Sequence, residues 1–314
     1  MFTIDDILIA RDFSSVSDRA LRHGFDLAAR TGATLHILHA EVLHDIDDRS
    51  RDRPSPTEGL DALRDELAND GLSTEALDAV TVREVVRRDV SPAPALLSYA
   101  SEEDIDLIAM GTHGRRGPSR ILLGSVAEEV VRRAEQPVLT VRGTEADPTP
   151  AVGRIEQILV PVDFSDYSRE ALRTADAWAQ LYDARVHVLH VVEEDLHPAF
   201  YVGGVRSVYD VEPDLDEKVR ETLSEFVSTV VEEPNRIETH VRTGSAPSEI
   251  SEFVGDEGID LVSLSTHGRT GLERFFLGSV AEKVVRHVSC PVLTTKAFGR
   301  SLVSPAEDTA SAAA

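Results

Sequence analysis

The sequence ILIARDFS at residues 7–14 returns as ILVPVDFS at residues 158–165, at an offset of 151 positions. A longer match joins residues 112–140 to residues 266–294, at an offset of 154. Self-similarity at a nearly fixed distance indicates a duplicated unit, and 314 residues are about twice the ~150 residues of an average domain. We therefore predict two tandem domains at 1–142 and 155–297, a linker at 143–154 and a disordered tail at 298–314.

In each copy, short runs of β-branched residues alternate with longer stretches of helical periodicity, which is typical of a parallel sheet covered by helices. The predicted strands of the first copy are residues 3–10, 34–41, 80–87, 107–110 and 138–142. Those of the second copy are residues 157–162, 185–192, 238–242, 261–265 and 292–295. The predicted fold class is α/β, with two doubly wound, Rossmann-like domains, each a five-stranded parallel sheet with helices on both faces.

Acidic residues dominate the charge of the chain. The 56 aspartates and glutamates against 32 lysines and arginines give a net charge of -24, which repels phosphate and argues against nucleic acid as a partner. Lysine is rare, because Lys218, Lys283 and Lys296 are the only three. This composition is typical of a high-salt cytoplasm, such as that of a halophilic archaeon, where salt screens the self-repulsion of an acidic surface.

The apolar segments and the single cysteine restrict the location of the protein. No apolar run approaches the ~20 residues of a membrane-spanning helix, and the N-terminus lacks the pattern of a secretion signal. We therefore expect a cytoplasmic protein with no membrane partner. Cys290 cannot close a disulfide within the chain, and no cysteine and histidine pair shows zinc-ligand spacing, so we expect a small buried apolar residue.

A ligand site is predicted at the carboxyl ends of the strands, where the winding of such a sheet reverses. With the first strand central, this crevice lies between strands one and four of each copy. Strand one ends near Asp12 and Asp163, and strand four leads into GTHGRRG at 111–117 and STHGRTG at 265–271. A Gly-Ser-Val sequence follows each loop. Glycines and helix-start amides can surround phosphate oxygens, although the glycines could also serve only turns and helix packing.

These features resemble the universal stress protein family in its tandem two-domain form. The resemblance rests on the DFS sequences after strand one, the histidine-ended second strands, the HGRxG loops and the GSVAE helix starts, and it covers the chain apart from linker and tail. The G-x2-G-x9-G-S spacing is similar to that of ATP-binding members. The resemblance therefore implies ATP, ADP or AMP as the ligand, which Mg²⁺ could accompany, and a regulatory or stress-response role.

Position by position, the resemblance implies that the end of strand one and the residue after the second-strand histidine hold adenosine. The glycine loop and the Gly-Ser pair would hold ribose and phosphates. The first site would consist of Ala10, Arg11, Asp12, Ala40, Met110, Gly111, Gly114, Gly124, Ser125 and Val126. The second would consist of Pro161, Val162, Asp163, Val191, Leu264, Ser265, Gly268, Gly278, Ser279 and Val280.

Each copy departs once from the family pattern. In the first, Ala10-Arg11 replaces a proline and a small residue, and the long guanidinium could pair with Asp12 or intrude on the base. In the second, Ser265 replaces a glycine and adds a side chain where the backbone should face ribose. Arginines beside the loops suit a polyphosphate, or they form a solvated face. These are Arg115, Arg116, Arg120, Arg269 and Arg274.

Three functions follow from these patterns. The first is a nucleotide-binding regulatory protein, the second an enzyme like the adenine-nucleotide α-hydrolases, and the third a structural interaction module with empty sites. The chain has no G-x-x-x-x-G-K-[ST] motif, and neither His113 nor His267 has a serine nucleophile elbow or acid partner, so at most weak ATP hydrolysis is expected.

The last strand of each copy would be an exposed sheet edge, which invites pairing. In related proteins the final strands pair across a twofold axis. We therefore expect a pseudo-dimer within one chain, and two chains could associate further as a homodimer. The sequence does not identify a downstream protein partner.

Overall fold

The computed structural model describes residues 2–42, 54–112, 123–143, 155–193, 214–267, 277–296 and 299–303. Its strands are β1 Asp6–Ala10, β2 Thr34–Val42, β3 Val82–Asp89, β4 Leu107–Gly111, β5 Val138–Val141, β6 Gln157–Pro161, β7 Arg185–Val192, β8 Ile237–Thr243, β9 Leu261–Ser265 and β10 Val292–Thr295. Its α-helices are α1 Ser15–Thr31, α2 Leu60–Asn69, α3 Thr74–Ala79, α4 Pro92–Glu102, α5 Ser125–Arg133, α6 Asp166–Tyr182, α7 Leu215–Val230, α8 Ala246–Asp256 and α9 Ser279–His287.

The strands form one sheet in the order β3-β2-β1-β4-β5-β10-β9-β6-β7-β8. Neighbouring strands within each domain are parallel, which confirms the predicted α/β fold class. The predicted strands are all present, with ends that differ by at most three residues. Because β1 lies between β2 and β4, and β6 between β7 and β9, the winding reverses at β1/β4 and β6/β9.

Alternating side chains along the strands build a separate core on each face of the sheet. Ile7 and Ile9 of β1 pack in the same cluster as Phe25 of α1. Leu8 points to the opposite face, into a cluster that includes Val130 of α5. In this way β1 is buried on both faces, and the side of the sheet on which any residue lies follows from its place in the strand.

The two domains meet where β5 pairs with β10 in antiparallel orientation. The Thr140 hydroxyl donates to the carbonyl of Val292 (3.2 Å), and the Thr294 hydroxyl donates to that of Val138 (3.1 Å). Since 140 plus 154 gives 294 and 138 plus 154 gives 292, the two contacts are equivalent. The sheet is therefore continuous through the edge strands of both domains, about a pseudo-twofold axis.

A second pair of equivalent contacts joins each domain to the last helix of the other. The Arg142 guanidinium donates to the carbonyl oxygen of Arg286 in α9 (2.7 Å), and Lys296 Nζ donates to that of Arg132 in α5 (2.9 Å). Both carbonyls lie in the last turn of a helix, where unpaired oxygens and the helix dipole favour a cation. Arg142 and Lys296 therefore connect the two domains by hydrogen bonds on both sides of the β5/β10 junction.

The end of the chain differs from the prediction. Residues 299–303 pack on the first domain, where Leu302 is 1% exposed and its carbonyl accepts a hydrogen bond from the amide of Thr3 (3.1 Å). Arg300 Nε also pairs with Asp106 (2.7 Å). The predicted disorder from residue 298 is therefore wrong for 299–303. Most of these residues are small or polar, so nothing in the sequence indicated that the core buries Leu302. Residues 304–314 lie outside the described residues.

In the described part of the chain, no helix has the length and apolar character required to cross a bilayer.

Candidate functional site

The turn from β1 to α1 places the carboxylate of Asp12 at the edge of the sheet. Asp12 Oδ1 accepts hydrogen bonds from the amide (3.0 Å) and hydroxyl (2.6 Å) of Ser14. The second domain repeats this turn, with Oδ1 of Asp163 accepting from the amide (3.1 Å) and hydroxyl (2.5 Å) of Ser165. The turn holds Phe13 at a φ of 61°, in the left-handed region that a phenylalanine seldom adopts. One carboxylate oxygen of each aspartate therefore fixes a strained turn.

The histidines that end the second strands fix the same turn from the neighbouring strand. His39 Nδ1 donates to the carbonyl oxygen of Arg11 (2.8 Å), and its ring lies 4.8 Å from that of Phe13. In the second domain, His190 Nδ1 donates to the carbonyl oxygen of Val162 (2.8 Å). The sequence alone predicted no role for these repeated histidines. Their role is to hold the crevice wall, and the signal for it was the recurrence of histidine at the same strand end.

Two helices begin at this edge without a side-chain cap. The amide of Gly124 donates to the carbonyl of Thr112 (2.8 Å), and that of Gly278 donates to Thr266 (2.8 Å). Each glycine is the N-cap of α5 or α9 and offers no side-chain oxygen. The next three amides of each helix therefore lack an intrahelical partner, and the positive end of the helix dipole lies at the crevice. Ser125 is exposed at the first position of α5.

Partly buried apolar residues lie beside each helix start. Ala10, Ala40 and Val126 pack against the core on the α5 side of the sheet, and Val191 and Val280 do so in the second domain. Beneath them, Met110 is 3% exposed and Leu264 is 4% exposed. Pro161 at the end of β6 is half-buried. The structure thus brings together, twice, a small apolar surface and a set of amides that have no partner within their helix, which could bind a flat apolar ring and an anion respectively.

Arg11 lies on the opposite face of the sheet from this apolar surface. Its guanidinium pairs with Asp18 of α1 (3.1 Å) and donates to the carbonyl of Pro56. The carbon of the guanidinium also lies 5.4 Å from the ring centre of Phe13. The cation is therefore packed on the α1 side, so of the two alternatives for Arg11 the intrusion on a base on the α5 side does not occur.

Gly111 and Ser265 occupy equivalent strand ends, and their side-chain positions also face away from the apolar surface. A Cβ at Gly111 would lie 2.9 Å from Cγ1 of Val16 in α1. Because neighbouring strand residues alternate, Leu264 packs on the α9 side and Ser265 faces the α6 side. The Ser265 hydroxyl accepts a hydrogen bond from the amide of His267 (3.2 Å). The Ser265 side chain, which the sequence was expected to add on the ribose side, therefore lies on the other face of the sheet.

Part of the predicted site lies outside the described residues. Gly114 and Gly268 belong to this part, as do the loop arginines and His113. His267 is described, and its Nδ1 lies 3.0 Å from the hydroxyl of Thr266, so this histidine contacts its own loop. Cys290 is buried as predicted, and burial raises the pKa of its thiol to about 12, which keeps it protonated and unreactive.

The chain belongs to the universal stress protein family, whose family model matches residues 3–142 and 154–296. A universal stress protein of Methanocaldococcus jannaschii is 36% identical over 141 residues, which are 45% of this chain and 82% of that protein. Universal stress protein G of Escherichia coli O157:H7 is 33% identical over 144 residues, 44% of this chain and 97% of that protein. These relatives therefore correspond to one domain.

A solved structure has the two-domain architecture. The universal stress protein of Archaeoglobus fulgidus has a TM-score of 0.62 and 19% identity, covering 94% of this chain and 99% of that one. At this level of identity the likeness shows the fold. Together with the two matches of the family model, it establishes the tandem organisation that the internal repeat predicted.

Proposed function

We propose that this protein binds an adenine nucleotide, ATP, ADP or AMP, at two sites and acts as a regulatory or stress-response protein with little or no hydrolysis. The observation that carries the proposal is the repeated pairing of an uncapped helix start with an apolar surface at the same edge of the sheet. The phosphates would accept hydrogen bonds from the first amides of α5 and α9. The adenine would lie on the apolar surface formed by Ala10, Ala40 and Val126 and on its counterpart in the second domain.

The acidity of the chain favours the first amides of α5 and α9 as the groups that bind the phosphates. With a net charge of -24, the protein has a surface that repels a polyphosphate, so binding depends on local donors and on a counterion such as Mg²⁺. Uncharged amides held by the helix attract the anion without requiring a basic surface. A role in regulation fits the carboxylates of Asp12 and Asp163, because one oxygen of each accepts hydrogen bonds from the serine that caps the following helix and thereby fixes the turn.

Calorimetric titration of the full chain with ATP, ADP and AMP in molar potassium chloride tests the proposal. We expect up to two nucleotides per chain. Ser125→Glu should remove the first site, because a carboxylate at an exposed helix start repels phosphate while it favours the helix dipole. Ser279→Glu should remove the second site, and the two changes together should abolish binding.

The glutamine variants at the same positions are the matched controls. Ser125→Gln and Ser279→Gln have side chains of the same size without the charge, so we expect them to retain most of the affinity. Absence of heat with all three nucleotides would instead favour the interaction module. Equal weakening by glutamate and glutamine would show that steric occupation, and not charge at an anion site, explains the loss.

Cytoplasmic location, a high-salt environment and further association into a homodimer belong to the same proposal. The acidic, lysine-poor composition supports the first two, and the family resemblance supports the third. Melting temperatures measured over a range of potassium chloride concentrations test the high-salt part of this proposal.

A further inference from the structure

Two histidines and a glutamate form a compact cluster in the second domain, far from the nucleotide crevice. They are His187 of β7 and Glu238 and His240 of β8, and one ligand atom of each lies within 4.8 Å of the others. His187 precedes Val191 by four strand residues, a distance of about 13 Å along β7. The cluster therefore lies on a face of the sheet, between its last two strands, and has no part in the site described above.

The two imidazoles face each other with their ring nitrogens. His187 Nδ1 lies 3.0 Å from His240 Nε2, while His187 Nε2 lies 2.8 Å from the side-chain oxygen of Gln157. Because an amide oxygen only accepts, His187 carries its proton on Nε2, and the Nδ1 lone pair points at His240. A second-sphere acceptor that fixes the tautomer in this way is characteristic of a metal-binding histidine.

The first domain shows what this position looks like when hydrogen bonds alone satisfy the histidine. His36 corresponds to His187, and its nitrogens contact the Tyr99 hydroxyl (2.7 Å) and the Asp6 carboxylate (2.8 Å). In the second domain, Phe253 stands where Tyr99 stands in the first, so the hydroxyl is missing. The register of β2/β3 and β7/β8 shows that His240 replaces Val85. In the second domain, Phe253 thus removes the hydroxyl partner of the strand histidine, and His240 supplies an imidazole partner in its place.

We propose that His187 Nδ1, His240 Nε2 and the Glu238 carboxylate bind one divalent transition-metal ion of the Zn²⁺ type. Tetrahedral coordination with Zn–N bonds of 2.0–2.1 Å separates two ligand nitrogens by about 3.3 Å, so the two nitrogens need to move apart by about 0.3 Å, and both rings must tilt until their lone pairs point at the ion. Two imidazoles and a carboxylate suit Zn²⁺ and leave a fourth position for water. The ion would join the edge strand β8 to β7.

The surroundings of the cluster agree with this assignment. Glu238 is exposed and lies 3.6 Å from Arg185, and an exposed ion pair of this kind contributes little, so its carboxylate can turn toward the metal. Burial lowers the pKa of both His187 and His240, which favours the neutral imidazoles that bind metals. Phe253 packs edge-on against both rings, with centroids 5.8 Å and 4.9 Å away, and orients them.

Titration of the untagged full chain with ZnCl₂, in excess Mg²⁺ to occupy the acidic surface, tests the proposal. We expect one Zn²⁺ per chain by calorimetry and by metal analysis after dialysis, and a tetrahedral visible spectrum when Co²⁺ is used. His240→Val, which introduces the first-domain residue, should abolish this binding. Gln157→Leu should weaken it about 10-fold to 100-fold, because it removes the group that fixes the tautomer of His187. His287→Val, at an exposed histidine of α9, is the control and should leave it unchanged.

The folded state of each variant is checked by circular dichroism, and Glu238→Gln provides a second, exposed change if His240→Val fails to fold. The melting temperature should rise with Zn²⁺ in the wild type but not in either variant. Absence of Zn²⁺ binding by the wild type, or Zn²⁺ binding by folded His240→Val or Glu238→Gln that equals wild-type binding, would overturn the proposal. In that case the two imidazoles would share a hydrogen bond in place of the Tyr99 contact.

Discussion

Substitution of Gly111 by alanine tests the close contact of α1 with β4, which forms the floor of the first crevice. The new Cβ would lie 2.9 Å from Cγ1 of Val16, 3.2 Å from the Val16 carbonyl carbon and 3.3 Å from the amide nitrogen of Ser17. Carbon atoms are in favourable contact at about 3.5–4.0 Å, so the start of α1 must shift by roughly 0.5 Å. Overpacking of this kind costs about 1–3 kcal/mol. Replacing a glycine also reduces the conformational entropy of the unfolded chain, which stabilises the folded state by about 0.4–1 kcal/mol.

We therefore expect Gly111→Ala to lower the free energy of unfolding by about 1–2 kcal/mol. The measurement is urea unfolding in molar potassium chloride, with the midpoint and the slope compared between variants. Gly255→Ala is the matched control, because a Cβ there meets nothing within 4 Å in helix α8, and it should raise stability by about 0.5–1 kcal/mol. A Gly111→Ala variant more stable than the wild type, as expected of Gly255→Ala, would refute the close approach of α1 to the end of β4.

Three other predictions concern stability. Leu302→Ala should lower the free energy of unfolding by about 2–5 kcal/mol in urea, since the core buries this side chain; a change below about 0.5 kcal/mol would contradict the packing of residues 299–303. Burial, with Arg22 and Arg19 nearby, lowers the pKa of His23 from 6.5 to about 4. The unfolded state therefore binds the additional proton, and stability present above pH 6.5 is lost progressively toward pH 4, by about 3 kcal/mol. His23→Thr, the residue of the second repeat, should flatten this dependence, and an unchanged pH profile would contradict it. The melting temperature should rise steeply between ~0.1 and ~3 M potassium chloride, as the Debye length falls from ~10 Å to below ~3 Å, and a flat response would contradict the high-salt interpretation.

Much of the fold could be predicted because the duplication makes each pattern appear twice. The strand near Ile7 and its repeat near Ile158 gave both the domain count and the central strands, and the alternation of strands and helices gave the parallel sheet. The glycines after β4 and β9 indicated the crevice edge for the same reason. Leu302 could not be predicted, since one apolar residue in a segment of small and polar residues has no periodicity.

The direction of side chains and the pairing of distant strands required the structure. Ser265 was expected to face a ligand, but strand alternation turns it toward α6, and a glycine in the first repeat gives no hint of that direction. His187 and His240 are 53 residues apart, so no sequence spacing connects them. They meet only because the register of β7 with β8 places His187 beside Glu238 on one face.

The most direct test of the central claim is a crystal structure of the full chain with ATP and Mg²⁺. We predict phosphate oxygens within hydrogen-bond distance of the first amides of α5 and α9, and adenine in contact with Ala10, Ala40 and Val126 in the first domain. The second domain should show adenine against Val191 and Val280. Nucleotide bound elsewhere, or crystals without nucleotide at saturating concentration, would contradict the assignment of these two crevices as adenine-nucleotide sites.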